Sequence, residues 1–177
     1  MKKVCIIFLL SIIISLTVFC GTAQNGVARE CGAYLRIHIR ADSNDSAAQA
    51  VKYAVRDEVV AYLTPVVAAC ESKTKALQAV DGVLAEIERV ATATLQTKGF
   101  PYAAKAELCS EYFPTRVYGE YTLPAGEYTA LILRLGRGEG DNWWCVVYPP
   151  LCFAAPTGEN VIYKSKIQEI IQKFYEK

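Results

Sequence analysis

The sequence predicts an α+β fold, with an antiparallel sheet of about four to five strands, two long helices on one face and a C-terminal helix. One alternating segment is followed by two long stretches with helical periodicity. From Pro101 onward, Val, Tyr, Thr and Phe become frequent, and Gly or Pro recurs at short intervals. Helices grouped before a run of consecutive strands are typical of this fold class.

The first 23 residues have the three parts of a secretory signal peptide. Lys2 and Lys3 precede an apolar run from Val4 to Cys20, and small residues follow up to Ala23. Cleavage there would leave a single secreted domain over residues 24–177. Retention as an N-terminal anchor stays open, because the run is near the lower length limit of a membrane span.

The formal charge of the whole chain is +1. Loss of the two signal lysines would make the charge slightly negative. A nearly neutral surface argues against binding to nucleic acid, which depends on clustered positive charge.

The first strand is predicted over Tyr34–Arg40, where apolar and basic residues alternate. The expected core face consists of Leu35, Ile37 and Ile39. The expected solvent face consists of Arg36, His38 and Arg40. Turn residues end this strand. Ser46 stands three residues before Gln49, which is the spacing of a capping box at a helix start.

Two helices are predicted next. The first runs from about Ala47 to Ala69, with Pro65 expected to bend or divide it, and the second from about Lys75 to Gln96, ended by Gly99. Their apolar stripes are expected to pack on the sheet. The stripes are Val51, Val55, Val59, Tyr62 or Leu63, and Val66 in the first helix, and Leu77, Val80, Leu84, Ile87 and Ala91 in the second.

Strands dominate the second half, with candidates at Ala103–Glu111, Thr115–Tyr121, Glu127–Leu135 and Trp143–Tyr148. The glycine-rich segment 136–141 lies between two strands and opens no helix, so it predicts a hairpin and no nucleotide site. The last strand is apolar on both faces. That pattern indicates a covered central strand, or a sheet face that meets a partner. A final helix is predicted to begin near Val161.

No convincing catalytic set is present. His38 is the only histidine, and with a cysteine and an acid such as Asp42 it could form a nucleophile–base pair. No signature flanks any cysteine, so we expect His38 to face solvent on its strand. Without a C-x-x-C spacing, the sequence predicts neither a metal site nor a cofactor.

Five cysteines would remain after signal cleavage, and an odd number leaves at least one unpaired. Cys145 and Cys152 enclose Pro149 and Pro150. If the path between them doubles back, a disulfide would contribute on the order of 2.5 kcal/mol. Otherwise they are two small buried residues that do not touch.

Two blocks of sequence stand out. The first is LRIHIRADSNDS at 35–46, followed by Gln49 and by Val55-Arg56-Asp57. The second consists of FPT at 113–115, Tyr118-Gly119, LPAGEYTAL at 123–131, GEG at 138–140 and NWWCVVYPPLCF at 142–153. In this order, the two blocks resemble the stage II sporulation protein R family. The chain departs from the family's ANSD sequence, because at 41–44 the acid and the amide have changed places.

The resemblance implies a secreted intercellular signal of endospore formation. The forespore would export it into the space between the forespore and mother-cell membranes. There it would activate a membrane-embedded sporulation aspartic protease of the mother cell, which processes the sigma-E precursor. The protein would be an activator and not an enzyme, with no small-molecule substrate.

The expected partner-binding surface consists of Tyr118, Trp143, Trp144, Tyr148 and Pro150, because desolvated aromatic side chains commonly carry the affinity of an interface. Adjacent strand residues point to opposite faces, so one of the two tryptophans is expected in the core and the other near the surface. Two alternatives stay open. One is an exported Cys-dependent envelope hydrolase using His38 and Cys145, and the other is a structural envelope protein with an uncleaved anchor.

Overall fold

The computed structural model describes residues 31–118 and 121–151. The predicted signal peptide, Cys152 and the predicted C-terminal helix lie outside the described residues. The fold is α+β, as predicted. The elements are β1 (Leu35–Arg40), α1 (Ser46–Ala68), α2 (Lys73–Asp81), α3 (Leu84–Thr97), β2 (Ala104–Phe113), β3 (Arg116–Tyr118), β4 (Tyr121–Leu123), β5 (Gly126–Leu135) and β6 (Asn142–Tyr148).

The chain divides into two compact units. The smaller one includes Tyr112–Glu127 and holds the antiparallel pair β3–β4. Its hairpin ends are joined by a hydrogen bond from the Ala125 N–H to the Thr115 hydroxyl oxygen at 3.1 Å. The single strand predicted over 115–121 is therefore two short strands. The larger unit holds the three helices and a four-stranded sheet.

The four-stranded sheet has the order β2-β5-β1-β6. β1 pairs in parallel with β5 and antiparallel with β6, so the sheet is mixed and the antiparallel prediction is wrong. The direct hairpin predicted across 136–141 is also wrong, because β1 lies between β5 and β6. A strand inserted between two strands of opposite direction must run parallel to one of them.

The helices pack through regular apolar stripes. α1 packs against α2 and α3, and both α1 and α2 contact β1. The buried α1 stripe is Val51, Val55, Val59, Leu63 and Val67, which resolves the Tyr62/Leu63 alternative and places Val67 where Val66 was predicted. Pro65 lies in the last turn of α1, and the helix continues past it to Ala68.

The second predicted helix is divided into α2 and α3 at Gly82 and Val83. The Gly82 N–H donates to the carbonyl of Gln78 at 3.0 Å and caps the end of α2. The apolar spacing that predicted one helix therefore continues across a break between two helices. The predicted stop at Gly99 is confirmed. Gly99 has φ +84, and the Phe100 N–H reaches back to the Leu95 carbonyl at 3.0 Å.

The cap of α1 lies one residue earlier than predicted. The Asp45 side chain accepts a hydrogen bond from the Ala48 N–H at 2.8 Å, while Ser46 is already helical. The Gln49 side-chain amide does not complete a capping box. It donates to the Ser43 carbonyl at 2.9 Å and so ties the preceding loop to the helix.

β1 is buried on both faces, which corrects the expected solvent face. Leu35, Ile37 and Ile39 are buried as predicted, but Arg36 is also fully buried and His38 is only 4% exposed. Side chains of the two neighbouring strands cover the second face, because Tyr128 of β5 lies beside Arg36 and Trp144 of β6 lies beside His38. The Arg36 guanidinium lies over the Tyr128 ring at 4.8 Å, which places its charge against an aromatic face.

Candidate partner-binding surface

Four of the five predicted contact residues lie on β6 or just after it. Trp143 and Trp144 are both half-buried, so the expected division into one core and one surface tryptophan is wrong. Tyr148 is buried at the end of the strand, its peptide bond to Pro149 is cis, and Pro150 is half-buried. Tyr118, the fifth, ends β3 in the smaller unit.

Trp143 meets a cation from α1. The Arg56 guanidinium carbon lies 5.6 Å from the centre of the Trp143 ring and 5.0 Å from that of Tyr53. Asp57 holds the same guanidinium, with its Oδ1 atom 2.7 Å from Nε and 2.6 Å from Nη2. Arg56 and Asp57 thus form a charged pair on α1, and an aromatic ring from each of two elements, α1 and β6, lies beside the guanidinium.

Trp144 faces the other side of the sheet. It is the register partner of His38, and the two rings are 5.3 Å apart. His38 Nδ1 lies 2.7 Å from Glu111 Oε2, and Arg40 forms an ion pair with the other oxygen of Glu111. Glu111 therefore joins two basic residues of β1 on a largely buried face.

Sequence reasoning missed Glu111 as the partner of His38. The two residues are 73 positions apart and belong to strands separated by β5, so no local spacing connects them. One signal was available: Glu107 and Glu111 are four residues apart and so share one face of β2, as the basic residues of β1 share one face. Glu107 contacts Arg134 of β5 at 2.5 Å.

The loops 41–46 and 136–141, called here the paired loops, are held together by hydrogen bonds. The Gly140 N–H donates to the Ala41 carbonyl at 2.8 Å, and the Asp141 N–H donates to Asn44 Oδ1 at 2.5 Å. The Arg137 N–H donates to Asp42 Oδ1 at 2.8 Å. Two polar residues of the first block's turn, Asp42 and Asn44, thus fix the segment that leads into β6.

Electrostatics and burial reinforce this contact between the loops. The Arg137 backbone N–H holds the pKa of Asp42 below its usual value, with the Arg137 side chain adding to the effect. Lys52 of α1 is 1% exposed, and its ammonium donates to Gln49 Oε1 at 2.6 Å and to the Asp141 carbonyl at 2.9 Å. Burial lowers the pKa of Lys52.

The residues required for the hydrolase alternative do not come together. Cys145 is the register partner of Ile37 and so lies on the face opposite His38. Asp42 is engaged by Arg137, and Glu111 takes the place beside the imidazole. Cys109 has its pKa raised by burial and by Glu107 and Glu111, which disfavours the thiolate that a nucleophile requires.

The predicted Cys145–Cys152 disulfide stays a prediction, because Cys152 lies outside the described residues. Cys31, Cys70 and Cys109 carry free thiols.

The pKa of the Tyr148 hydroxyl is raised by burial, with smaller effects from Cys70 and Glu71.

Within residues 31–118 and 121–151, no group of three or more His, Cys, Asp or Glu side chains could hold a metal ion. Among the same residues, no helix is both long enough and apolar enough to cross a membrane.

Comparisons with known proteins agree on one family. Residues 32–157 match the family described as stage II sporulation protein R. A curated relative with that name, from Bacillus subtilis (strain 168), is 34% identical over 143 residues, which cover 81% of this chain and 64% of the relative. The chain thus spans slightly less than two thirds of that relative's length. No solved structure matches the chain.

Proposed function

This chain belongs to the stage II sporulation protein R family and so has a role in sporulation, and we propose that it is an exported signal that activates a protease. The forespore makes it and exports it into the space between the two membranes. There it binds a membrane-embedded aspartic protease of the mother cell, which processes the sigma-E precursor. The observation that carries this proposal is the family match over residues 32–157, which contains both sequence blocks completely and covers the paired loops.

The surface of the larger unit supports a role as a ligand. Two half-buried tryptophans and an exposed tyrosine lie near the start of β6, and the formal charge of the chain is only +1. Binding by shape and aromatic contact suits such a surface, since electrostatic steering needs a concentrated field.

The direct test is reconstitution in a bacterial host that does not form spores. The full chain is co-expressed with the membrane protease and the sigma-E precursor, and precursor cleavage is followed by immunoblot. We expect cleavage only when all three are present. A protease with its catalytic aspartate replaced by asparagine is the matched control for cleavage by host enzymes. Equal cleavage without this chain, or none with it, would contradict the proposal.

Export is tested separately by the mass of the protein recovered outside the cytoplasm. We expect an N-terminus at Gln24, produced by cleavage after Ala23. An intact N-terminus in the membrane fraction would instead support the anchored form.

A further inference from the structure

One partly exposed group on the larger unit combines a cation with two aromatic rings. It is called here the Arg56 stack and consists of Tyr53, Arg56, Asp57 and Trp143. Tyr53 and Arg56 are three residues apart, so both project from the same side of α1. Trp143 reaches the guanidinium from β6. The second sequence block thus contributes a ring to the charged pair of the first.

The stack remains open to solvent. Tyr53 is 44% exposed, and the side chains of Arg56 and Asp57 are 30% and 65% exposed. Exposed ion pairs of this kind contribute little to folding. Lys52, the neighbouring cation on α1, is in contrast almost wholly buried and bonded to the paired loops. Lys52 also lies against the stack, with its Nζ atom 4.9 Å from the centre of the Tyr53 ring, so a buried cation lies behind the more exposed Arg56.

The hydrogen-bonding capacity of the stack is only partly used. Arg56 has five N–H donors, and Asp57 engages those of Nε and Nη2 through a single oxygen, Oδ1. Within the described part of the chain, Arg56 Nη1 donates no hydrogen bond. A planar guanidinium with free donors and flanking aromatic rings suits a carboxylate that lies beside an apolar group.

We infer that the Arg56 stack binds a carboxylate-bearing segment of the membrane protease, an Asp or Glu next to an apolar side chain. This inference rests on the proposed function and specifies its contact. Arginine, tryptophan and tyrosine are the residues in which interface affinity is most often concentrated. The stack supplies all three, held in place by Asp57.

The test compares substitutions at Arg56 with a matched arginine elsewhere. Arg56→Gln removes the charge, and Arg56→Lys keeps the charge but loses the planar donor fork. Arg89→Gln on α3 is the control, because Arg89 is 68% exposed and pairs with Glu86 one turn away. Precursor cleavage in the three-component reconstitution and binding to the detergent-solubilised protease are both measured.

We expect both Arg56 variants to weaken protease binding by about tenfold or more, the loss typical of an interface anchor, while Arg89→Gln matches the wild type. Tyr53→Ser provides a second variant on an exposed side chain, should an Arg56 variant fold poorly. It is expected to weaken binding in the same direction. Far-UV circular dichroism and the urea midpoint confirm that each variant is folded.

Outcomes separate this inference from the function on which it rests. If the wild type gives no activation, the proposed function fails. If the wild type activates, but the Arg56 variants and Tyr53→Ser bind the protease as tightly as Arg89→Gln, the function stands and the inference is overturned. Binding to phosphatidylglycerol vesicles is measured for the same variants. If the Arg56 variants lose vesicle binding but keep protease binding, the stack contacts the membrane, and the inference is also overturned.

Discussion

Replacing Gly140 with alanine tests whether the paired loops are essential to the larger unit. The Gly140 N–H donates to the Ala41 carbonyl at 2.8 Å. An added Cβ would lie 2.5 Å from the carbonyl carbon of Ser43 and closer still to its oxygen. Backbone atoms cannot rotate away as a side chain can. The loops must therefore separate by about 1 Å to reach ordinary van der Waals distances.

That separation has two energetic consequences. Overpacking a tight site costs about 1–3 kcal/mol. Loss of the Gly140 hydrogen bond adds about 0.5–1.5 kcal/mol. Together we expect the free energy of unfolding to fall by about 2–4 kcal/mol, which is a large share of a typical domain's stability.

Gly99→Ala is the matched control, because the two glycines are required for different reasons. Gly140 does not have a positive φ, so only the lack of space excludes a side chain there. Gly99 has φ +84 but no atom within 4 Å of the added Cβ, so alanine there meets backbone strain alone. We expect a loss of about 1–2 kcal/mol for Gly99→Ala.

The assay is urea unfolding followed by tryptophan fluorescence, since Trp143 and Trp144 lie just after the loop that contains Gly140. A lower midpoint with an unchanged slope would report a loss of stability in the folded state. The reasoning is refuted if Gly140→Ala is as stable as the wild type, or more stable than Gly99→Ala.

Three further substitutions test individual contacts by the same urea assay. In the wild type, the Arg137 N–H lowers the pKa of Asp42, so the carboxylate's stabilisation is present above pH 3.8 and is lost as pH falls through the lower folded pKa. Asp42→Asn should therefore flatten the stability curve below about pH 4. Glu111→Gln should cost about 1–3 kcal/mol, because the buried His38 loses its carboxyl partner; no loss would mean that their 2.7 Å contact is dispensable. Lys52→Met should cost about 1–3 kcal/mol, because the loop carbonyl loses a buried donor; an unchanged midpoint would show that water replaces the ammonium.

The helical half of the fold could be predicted because its signals are local. Three- and four-residue apolar steps identified α1 and most of its buried stripe, and Gly99 correctly marked the end of α3. The break at Gly82 was missed because the apolar spacing continues through it. Periodicity reports which residues share a side, and it does not report whether the backbone hydrogen bonds continue.

The sheet could be predicted only as a set of strands. Strand alternation gives the two faces of β1, but it does not say which of them meets water. Arg36 and His38 were placed in solvent for that reason, whereas their second face is covered in the folded protein. The parallel pairing of β1 with β5 joins residues about 94 positions apart, such as Arg36 and Ala130, and no local pattern encodes such a partner.

The position of Trp143 on a strand could be predicted from the sequence, but its contact with a cation could not. Trp143 was identified because aromatic side chains often anchor interfaces, and the structure places it on β6 as predicted. Its neighbour Arg56 was identified only within the Val55-Arg56-Asp57 segment of the first block. The cation and the ring are 87 positions apart, so their contact depends on α1 packing beside β6.

Each tryptophan of the second block meets a residue of the first. Trp143 stacks with Arg56, and Trp144 lies against His38. Because strand residues alternate in direction, one step along β6 separates a partly exposed stack from a largely buried charge cluster. A loss of activation on replacing Trp144 therefore cannot be assigned to a lost partner contact unless the free energy of unfolding is unchanged. At Arg56 the comparison with Arg89→Gln helps to make that separation, since both arginines pair with a neighbouring carboxylate and, of the two, Arg56 lies against Trp143.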